Sequence, residues 1–302
     1  MAPENLLRRP QPAEKLTLGC PVMDRCLAGG IPCESITEIV AESGSGKTQL
    51  CLQLALLAQL PPSLGGLSAS SIYLHSEFPF PTRRLHQLAA QFHAHHLQDL
   101  IATGRDQRYD PMDGILVQSI HTADQLLDIM PQTESFLQNS QTQFPVRLIV
   151  IDSIAALFRS DFDNTSIDLM KRSSLFFKIS GKLKSLASRF RLAVVVTNQV
   201  VDYVGDGMNG LKIGNLEELY SSGRRVCPAL GLAWSNCVNS RLFLSREEDE
   251  KANNCSVERS EEDGGFGSRT TRRWLHLVFA PHLAPSSCEF VIRREGISGV
   301  DR

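Results

Sequence analysis

Lys47 and Thr48 follow Gly44-Ser45-Gly46 directly, between a strand-like run (Ser35 to Val40) and a nearly apolar, helix-forming run (Gln49 to Leu60). A strand, a glycine turn and a helix start make a phosphate site. Glycines bring backbone N–H groups close to an anion, and the helix dipole favours negative charge there. Lys47 can reach the outer phosphates, and Thr48 can offer its hydroxyl to a magnesium ion. Ala41, Glu42, Ser43, Gly44, Ser45, Gly46, Lys47 and Thr48 are therefore the candidate nucleotide loop. The usual pattern opens with glycine where this chain has Ala41. Alanine there costs roughly 1–2 kcal/mol if the backbone is left-handed and almost nothing otherwise.

Three further side chains could complete the chemistry. Asp152 closes the apolar run that starts at Arg147, as the last residue of a central parallel strand does. A carboxylate so placed can hold magnesium beside Thr48, directly or through water. Glu77 ends the strand between the two motifs, where a carboxylate can orient or deprotonate an attacking water. Gln199 ends the next strand, where an amide can sense a terminal phosphate and pass its presence into the following loop. Each of these alone is often a capping or solvated group; convergence would make them a site.

The elements that must position them read as an alternation. Leu16 to Gly30 is expected as a helix stopping at Gly29-Gly30, Pro61 to Ser70 as a loop, Ile72 to His75 as a buried strand and Arg84 to Phe92 as a helix. Ile115 to Ile120, Arg147 to Asp152 and Arg191 to Gln199 read as strands, with helices at Ala123 to Met130 and Leu175 to Phe190. Beyond Gln199 the alternation fails. Val201 to Val226 reads as a long glycine-containing loop, and Arg241 to Ser245, Trp274 to Phe279 and Glu289 to Arg293 as strands extending the sheet. Arg246 to Ser268, dense in charge, glycine and serine, is expected to be disordered. The fold class is α/β, a parallel sheet with helices on its faces.

With 302 residues and 42% hydrophobic content, the chain can bury one large core or two small ones. No segment approaches the ~20 apolar residues of a membrane span, and the proline- and arginine-containing start lacks an apolar signal region. A soluble protein acting inside the cell is expected. Eight scattered cysteines, without close pairs, read as reduced thiols rather than a zinc site. The formal charge of −2 excludes a globally basic nucleic-acid binder and leaves DNA contact to local patches. Arg159, Lys171 and Arg172 lie in one candidate loop and Lys212, Arg224 and Arg225 in another, both diluted by acids such as Asp161, Asp163, Asp202 and Asp206.

The strand ending in Glu77, Leu148-Ile-Val-Ile-Asp152-Ser and Val194-Val-Val-Thr-Asn-Gln199-Val together resemble the RecA-like strand-exchange ATPases of the eukaryotic recombinase branch, from roughly Leu16 to Ile297. Ala41 to Leu50, Pro228 to Trp234 and Ala280 to Cys288 narrow the resemblance to its recombinase paralogues. The resemblance implies a RecA-like P-loop ATPase core, a mostly parallel twisted sheet with helices on both faces and a C-terminal strand extension. That core would span residues 16–302 behind a flexible arm at 1–15. It further implies ATP and magnesium as cofactors and a nuclear role in homologous-recombination repair of double-strand breaks and crosslinks, including meiosis. The implied partners are the C-type recombinase paralogue, the strand-exchange recombinase, and single-stranded or branched DNA.

Carried over by position, the family's nucleotide lysine and magnesium threonine fall on Lys47 and Thr48, its catalytic glutamate on Glu77, its magnesium aspartate on Asp152 and its γ-phosphate glutamine on Gln199. Its base-stacking arginine falls on Arg84, and its proline-bearing cap over a neighbour's nucleotide near Pro281. Full recombinases also carry an N-terminal helical DNA-binding domain and a Phe-x-x-Ala anchor for the next subunit. Neither is expected here, because the first fifteen residues are polar and contain no phenylalanine. An ATP-binding mediator within a hetero-oligomer is expected ahead of a strand-exchange ATPase or a scaffold with a vestigial nucleotide site; whether it turns over ATP, as a weak DNA-dependent ATPase would, is left open by the sequence.

Overall fold

Leu148 and Val150 pack on one side of the central sheet and Ile149 and Ile151 on the other, and this alternation builds two cores on one sheet. The computed structural model describes residues 14–301 apart from 78, 103, 106–107, 140–143, 160–164, 204–218 and 249–270. The strands are β1 (Lys15–Leu16), β2 (Ile31–Pro32), β3 (Ser35–Ala41), β4 (Ser70–His75), β5 (Ile115–Ser119), β6 (Val146–Asp152), β7 (Ala193–Asn198), β8 (Val200–Asp202), β9 (Leu219–Ser221), β10 (Arg224–Pro228), β11 (Ser240–Glu248), β12 (Thr271–Phe279), β13 (Ser286–Ile292) and β14 (Ile297–Gly299). The helices are α1 (Pro21–Cys26), α2 (Lys47–Leu57), α3 (Thr82–Ala102), α4 (Ala123–Asn139), α5 (Ser166–Phe190) and α6 (Gly231–Ser235).

Among the described residues, nine strands form one sheet in the order β14-β13-β12-β11-β3-β7-β6-β4-β5. The six from β11 to β5 run parallel, and β12, β13 and β14 return antiparallel. Every residue of β7 is buried, the reason for its apolar run from Ala193 to Val196. Helices α2 and α3 cover one face, with Leu50, Leu54, Leu85 and Leu88 in the core. Helices α4, α5 and α6 cover the other, with Leu126, Phe176, Leu183 and Trp234. Because α2 lies inside the protein, its sequence is apolar nearly all round. No helix among the described residues is long and apolar enough to cross a membrane.

Several boundaries differ from the expected ones for identifiable reasons. The helix expected from Leu16 to Gly30 is only α1: Leu16 pairs with Ile31 in a two-stranded sheet, and Pro21 sets the helix start. Gly30 closes that hairpin at φ +122, where an added Cβ would lie 2.1 Å from the Leu16 carbonyl oxygen. Helix α5 begins much earlier than Leu175 because Thr165 caps it, its hydroxyl accepting from the Asp168 N–H at 3.2 Å. The stretch 201–226, read as loop, contains part of a three-stranded antiparallel sheet, β8-β10-β9. Its residues 204–218, including Lys212 and Asp206, lie outside the described residues. Strand β11 continues through Glu248, into the segment expected to lack structure; residues 249–268 and the arm at 1–13 lie outside the described residues.

Candidate nucleotide site

The carboxyl ends of β3, β7, β6 and β4 meet along one edge of the sheet, where open α/β sheets bind ligands. Ala41, the last residue of β3, is buried and not left-handed, so alanine carries no backbone penalty there. Gly44 and Gly46 do need their freedom, at φ +79 and +113. A Cβ on Gly46 would also sit 2.9 Å from Ile292 Cδ1, and one on Gly44 would sit 3.1 Å from Arg246 Nη1.

Lys47 Nζ donates to the carbonyls of Ala41 (2.8 Å) and Glu42 (3.0 Å). Burial lowers its pKa, while the charges of Asp152 and Glu77 hold it up. Asp152 accepts three hydroxyls: Thr48 at 2.8 Å and Tyr73 at 2.7 Å on Oδ2, and Thr197 at 2.6 Å on Oδ1. Burial and then the Asp152 charge push Tyr73 well above its usual pKa, so its hydroxyl stays a donor. Beside them Gln199 Nε2 donates to Glu77 Oε1 at 2.6 Å. Arg159 Nη2 reaches Gln199 Oε1 at 2.6 Å and Glu77 Oε1 at 3.4 Å.

Lys47, Thr48, Glu77, Asp152 and Gln199 thus line one cleft of about 640 Å3, together with Ser43, Gly44, Gly46, Arg84 and Arg273. An ammonium, a hydroxyl and a carboxylate converge on a glycine cradle, and Ser45 Oγ is buried without a partner among the described residues. This donor set fits a magnesium–nucleoside triphosphate.

A model of the Rad51 family matches residues 11–216. The chain belongs to the Rad51 family. Proteins of this family bind ATP, generally with magnesium. The chain is 60% identical over 300 residues to the DNA repair protein XRCC3 homolog of Arabidopsis thaliana, covering 99% of this chain and 97% of that one. It is 34% identical over 299 residues to the DNA repair protein XRCC3 of Bos taurus (96% and 76% covered). It is 31% identical over 288 residues to the DNA repair protein RAD51 homolog 2 of Mus musculus (91% and 72% covered). The three stretches that narrowed the resemblance point to this same paralogue type, X-ray repair cross-complementing protein three.

In this Rad51-family chain Arg84 lies at the far end of the cleft. It donates to Gln49 Oε1 (2.7 Å), to the carbonyls of Arg293 (2.7 Å) and Arg294 (2.9 Å), and to Gln87. Those bonds fix the plane of its guanidinium. Pro281 does not line the chain's own cleft: β12 runs antiparallel to β11, so its following turn lies at the opposite end of the sheet. The other basic residues are spread out. Lys171 faces Asp168 at 3.7 Å, Arg172 lies over the Phe176 ring, Arg224 pairs with Asp202 (2.9 Å) and Glu42 (3.1 Å), and Arg225 lies 4.2 Å from the Tyr203 ring centroid.

Sequence reasoning missed Tyr73 and Thr197; each lies near the carboxyl end of its strand, directly after an apolar residue, and that position beside the strand's end was the signal available. It also missed the side chain of Glu42. Glu42 Oε1 accepts from Ser221 Oγ at 2.6 Å and from Ser222 Oγ, Arg246 Nε lies 3.2 Å from it, and Arg224 reaches Oε2. The nucleotide loop is thereby tied to the turn between β9 and β10.

Proposed function

We propose that this chain is an ATP-binding mediator of homologous-recombination DNA repair, including meiosis. It acts in the nucleus with another recombinase paralogue of C type to assemble or steady filaments of the strand-exchange recombinase. The observation that carries this reading is the convergence of Lys47, Thr48, Glu77, Asp152 and Gln199 on one cleft, in a chain whose relatives are DNA repair proteins. Five cations and two acids line that cleft, a balance suited to a polyphosphate. Lys47 would hold phosphate oxygens, and Thr48 and Asp152 would hold magnesium. The metal, when bound, draws charge off the phosphoryl oxygens. Glu77 would orient a water and Gln199 would report on the terminal phosphate. Arg84 supports the base, and Pro281 serves a neighbour's site.

Partner binding is supported by the far edge of the sheet. Strand β5 ends the sheet with Leu116 and Val117 about two-fifths exposed, and with Phe136 of α4 they frame a groove of about 220 Å3. A paralogue segment could add a strand there and seat one apolar side chain. DNA contact is assigned to Arg159, Lys171, Arg172, Arg224 and Arg225, the last two on the sheet that flanks residues 204–218.

The test is nucleotide binding by the chain alone and in complex with its paralogue. Saturable binding of ATP that requires magnesium is expected. Undetectable binding in both preparations would leave only a scaffold.

A further inference from the structure

We infer that Arg273 binds the inner phosphates of the nucleotide from within the same subunit, a reading that rests on the nucleotide site proposed above. On β12, Arg273 stands directly across from Arg246 on β11. Like charges facing each other on neighbouring strands repel. Arg246 has its own counter-charge, with Nε 3.2 Å from Glu42 Oε1 and 3.0 Å from Ser222 Oγ. Arg273 has none: among the described residues no carboxylate pairs with it. Its one hydrogen bond is a long one, from Nη1 to the Thr271 carbonyl at 3.5 Å, and its Nε is buried without an acceptor. Burial, then the charge of Arg246, lowers its pKa.

These features have one remedy. Arg273 lines the cleft with Ser43, Gly44 and Lys47, so an anion held by the loop would neutralise the second guanidinium and accept its free N–H groups. The strand order decides which part of the anion it meets. Along the sheet edge, Gln199 and Glu77 follow β7 and β4 on one side of the loop, while Arg273 lies on β12 on the other, next to Ile292 of β13. Arg84 and the carbonyls of Arg293 and Arg294 lie on that side too. Arg273 therefore sits between the base end and the loop, and meets the phosphates that ADP and ATP share. It is an affinity residue and not a sensor of the terminal phosphate.

The experiment titrates magnesium-ADP and a non-hydrolysable ATP analogue into the wild-type complex and into Arg273→Gln, Arg273→Lys and Lys47→Ala. Arg273→Gln should weaken both nucleotides by roughly tenfold or more and by similar factors, with partial recovery in Arg273→Lys. The nucleotide-free Arg273→Gln protein should melt no lower than wild type, because a repulsion has been removed. Unchanged ADP affinity, loss confined to the ATP analogue, or a lowered melting temperature without nucleotide would each overturn the inference. Failure of the site reading looks different: there the wild type itself binds neither nucleotide and Lys47→Ala changes nothing.

Discussion

Gln199 Nε2 and Glu77 Oε1 lie 2.6 Å apart, joining the carboxylate after β4 to the amide after β7 across the intervening strand β6. Arg159 bridges the same two groups from the end of the short turn at Ala155–Phe158. The carboxylate is therefore held in place by the amide and by an exposed ion pair with Arg159. Glu77→Gln should lower ATP turnover by the paralogue complex by roughly 10²–10⁴-fold, while magnesium-ATP affinity changes little. Gln199→Ala should act through the same hydrogen bond, so the double variant should lose less than the product of the single losses. Steady-state rates beside equilibrium titrations check this; strict multiplicativity would mean that the two groups work separately.

Lys47 donates to two loop carbonyls while buried beside Asp152, and its ammonium is compact enough to turn toward a phosphate in that space. A guanidinium is planar and longer. Lys47→Arg should therefore weaken nucleotide binding nearly as much as Lys47→Ala, despite keeping the charge. Wild-type repair by both variants in cells lacking the chain would point to the scaffold instead.

Much of this site was legible in the sequence, because its parts are local patterns. Asp152 closes an apolar run, Lys47 follows a glycine turn, and both signals come from the strand and loop that carry them. What was not legible depends on register between distant segments. Nothing near Glu42 signals that Ser221, Ser222, Arg224 and Arg246 will surround it, since they arrive from β9, β10 and β11. The same holds for β8, β9 and β10: each is short, and its alternation is hidden among glycines and charges until the partner strand is in place. Helix α1 was overestimated because the hydrophobic spacing of Leu16, Met23 and Leu27 suits a helix as well as the hairpin and short helix that bury them.

Glu38 and Arg241 form an ion pair with both side chains almost fully buried, Nε to Oε2 at 2.5 Å. The other Glu38 oxygen accepts from Asn198 Nδ2 (2.8 Å) and Trp234 Nε1 (2.9 Å). Arg241→Leu leaves a buried, uncompensated carboxylate and should cost about 3–5 kcal/mol. Replacing both partners with apolar residues should cost less than the sum of the single changes. Chemical denaturation of the four proteins measures this. Because Asn198 precedes Gln199, the single variants should also reduce nucleotide affinity.

Glu42 should make stability sensitive to acid. Burial raises its carboxyl, but the Ser221 and Ser222 hydroxyls, Arg246 and Arg224 outweigh that and leave the pKa lowered from 4.5. The unfolded chain therefore takes up this proton first as the pH falls. The stabilisation is fully present above 4.5 and is lost as the pH drops through the lower, folded value. Glu42→Gln should melt below wild type at neutral pH, and the gap should narrow on acidification below 4.5. A gap that stays constant across that range would show that Glu42 is not held as a carboxylate.

Arg224 and Arg225 are neighbours on β10 with opposite environments, and that difference separates DNA contact from loop coupling. Arg224 is shared between Asp202 and Glu42, whereas Arg225 lies against Tyr203. If both meet single-stranded DNA, Arg224→Ala and Arg225→Ala should each weaken binding and flatten the dependence of log affinity on log salt by about 0.7. Only Arg224→Ala should also change nucleotide affinity, because only Arg224 touches the loop through Glu42. Titration of a fluorescent single strand at several salt concentrations, with and without nucleotide, checks both parts. An unchanged salt slope in both variants would place the DNA on the partner, and the link from Glu42 to β10 would then serve assembly alone.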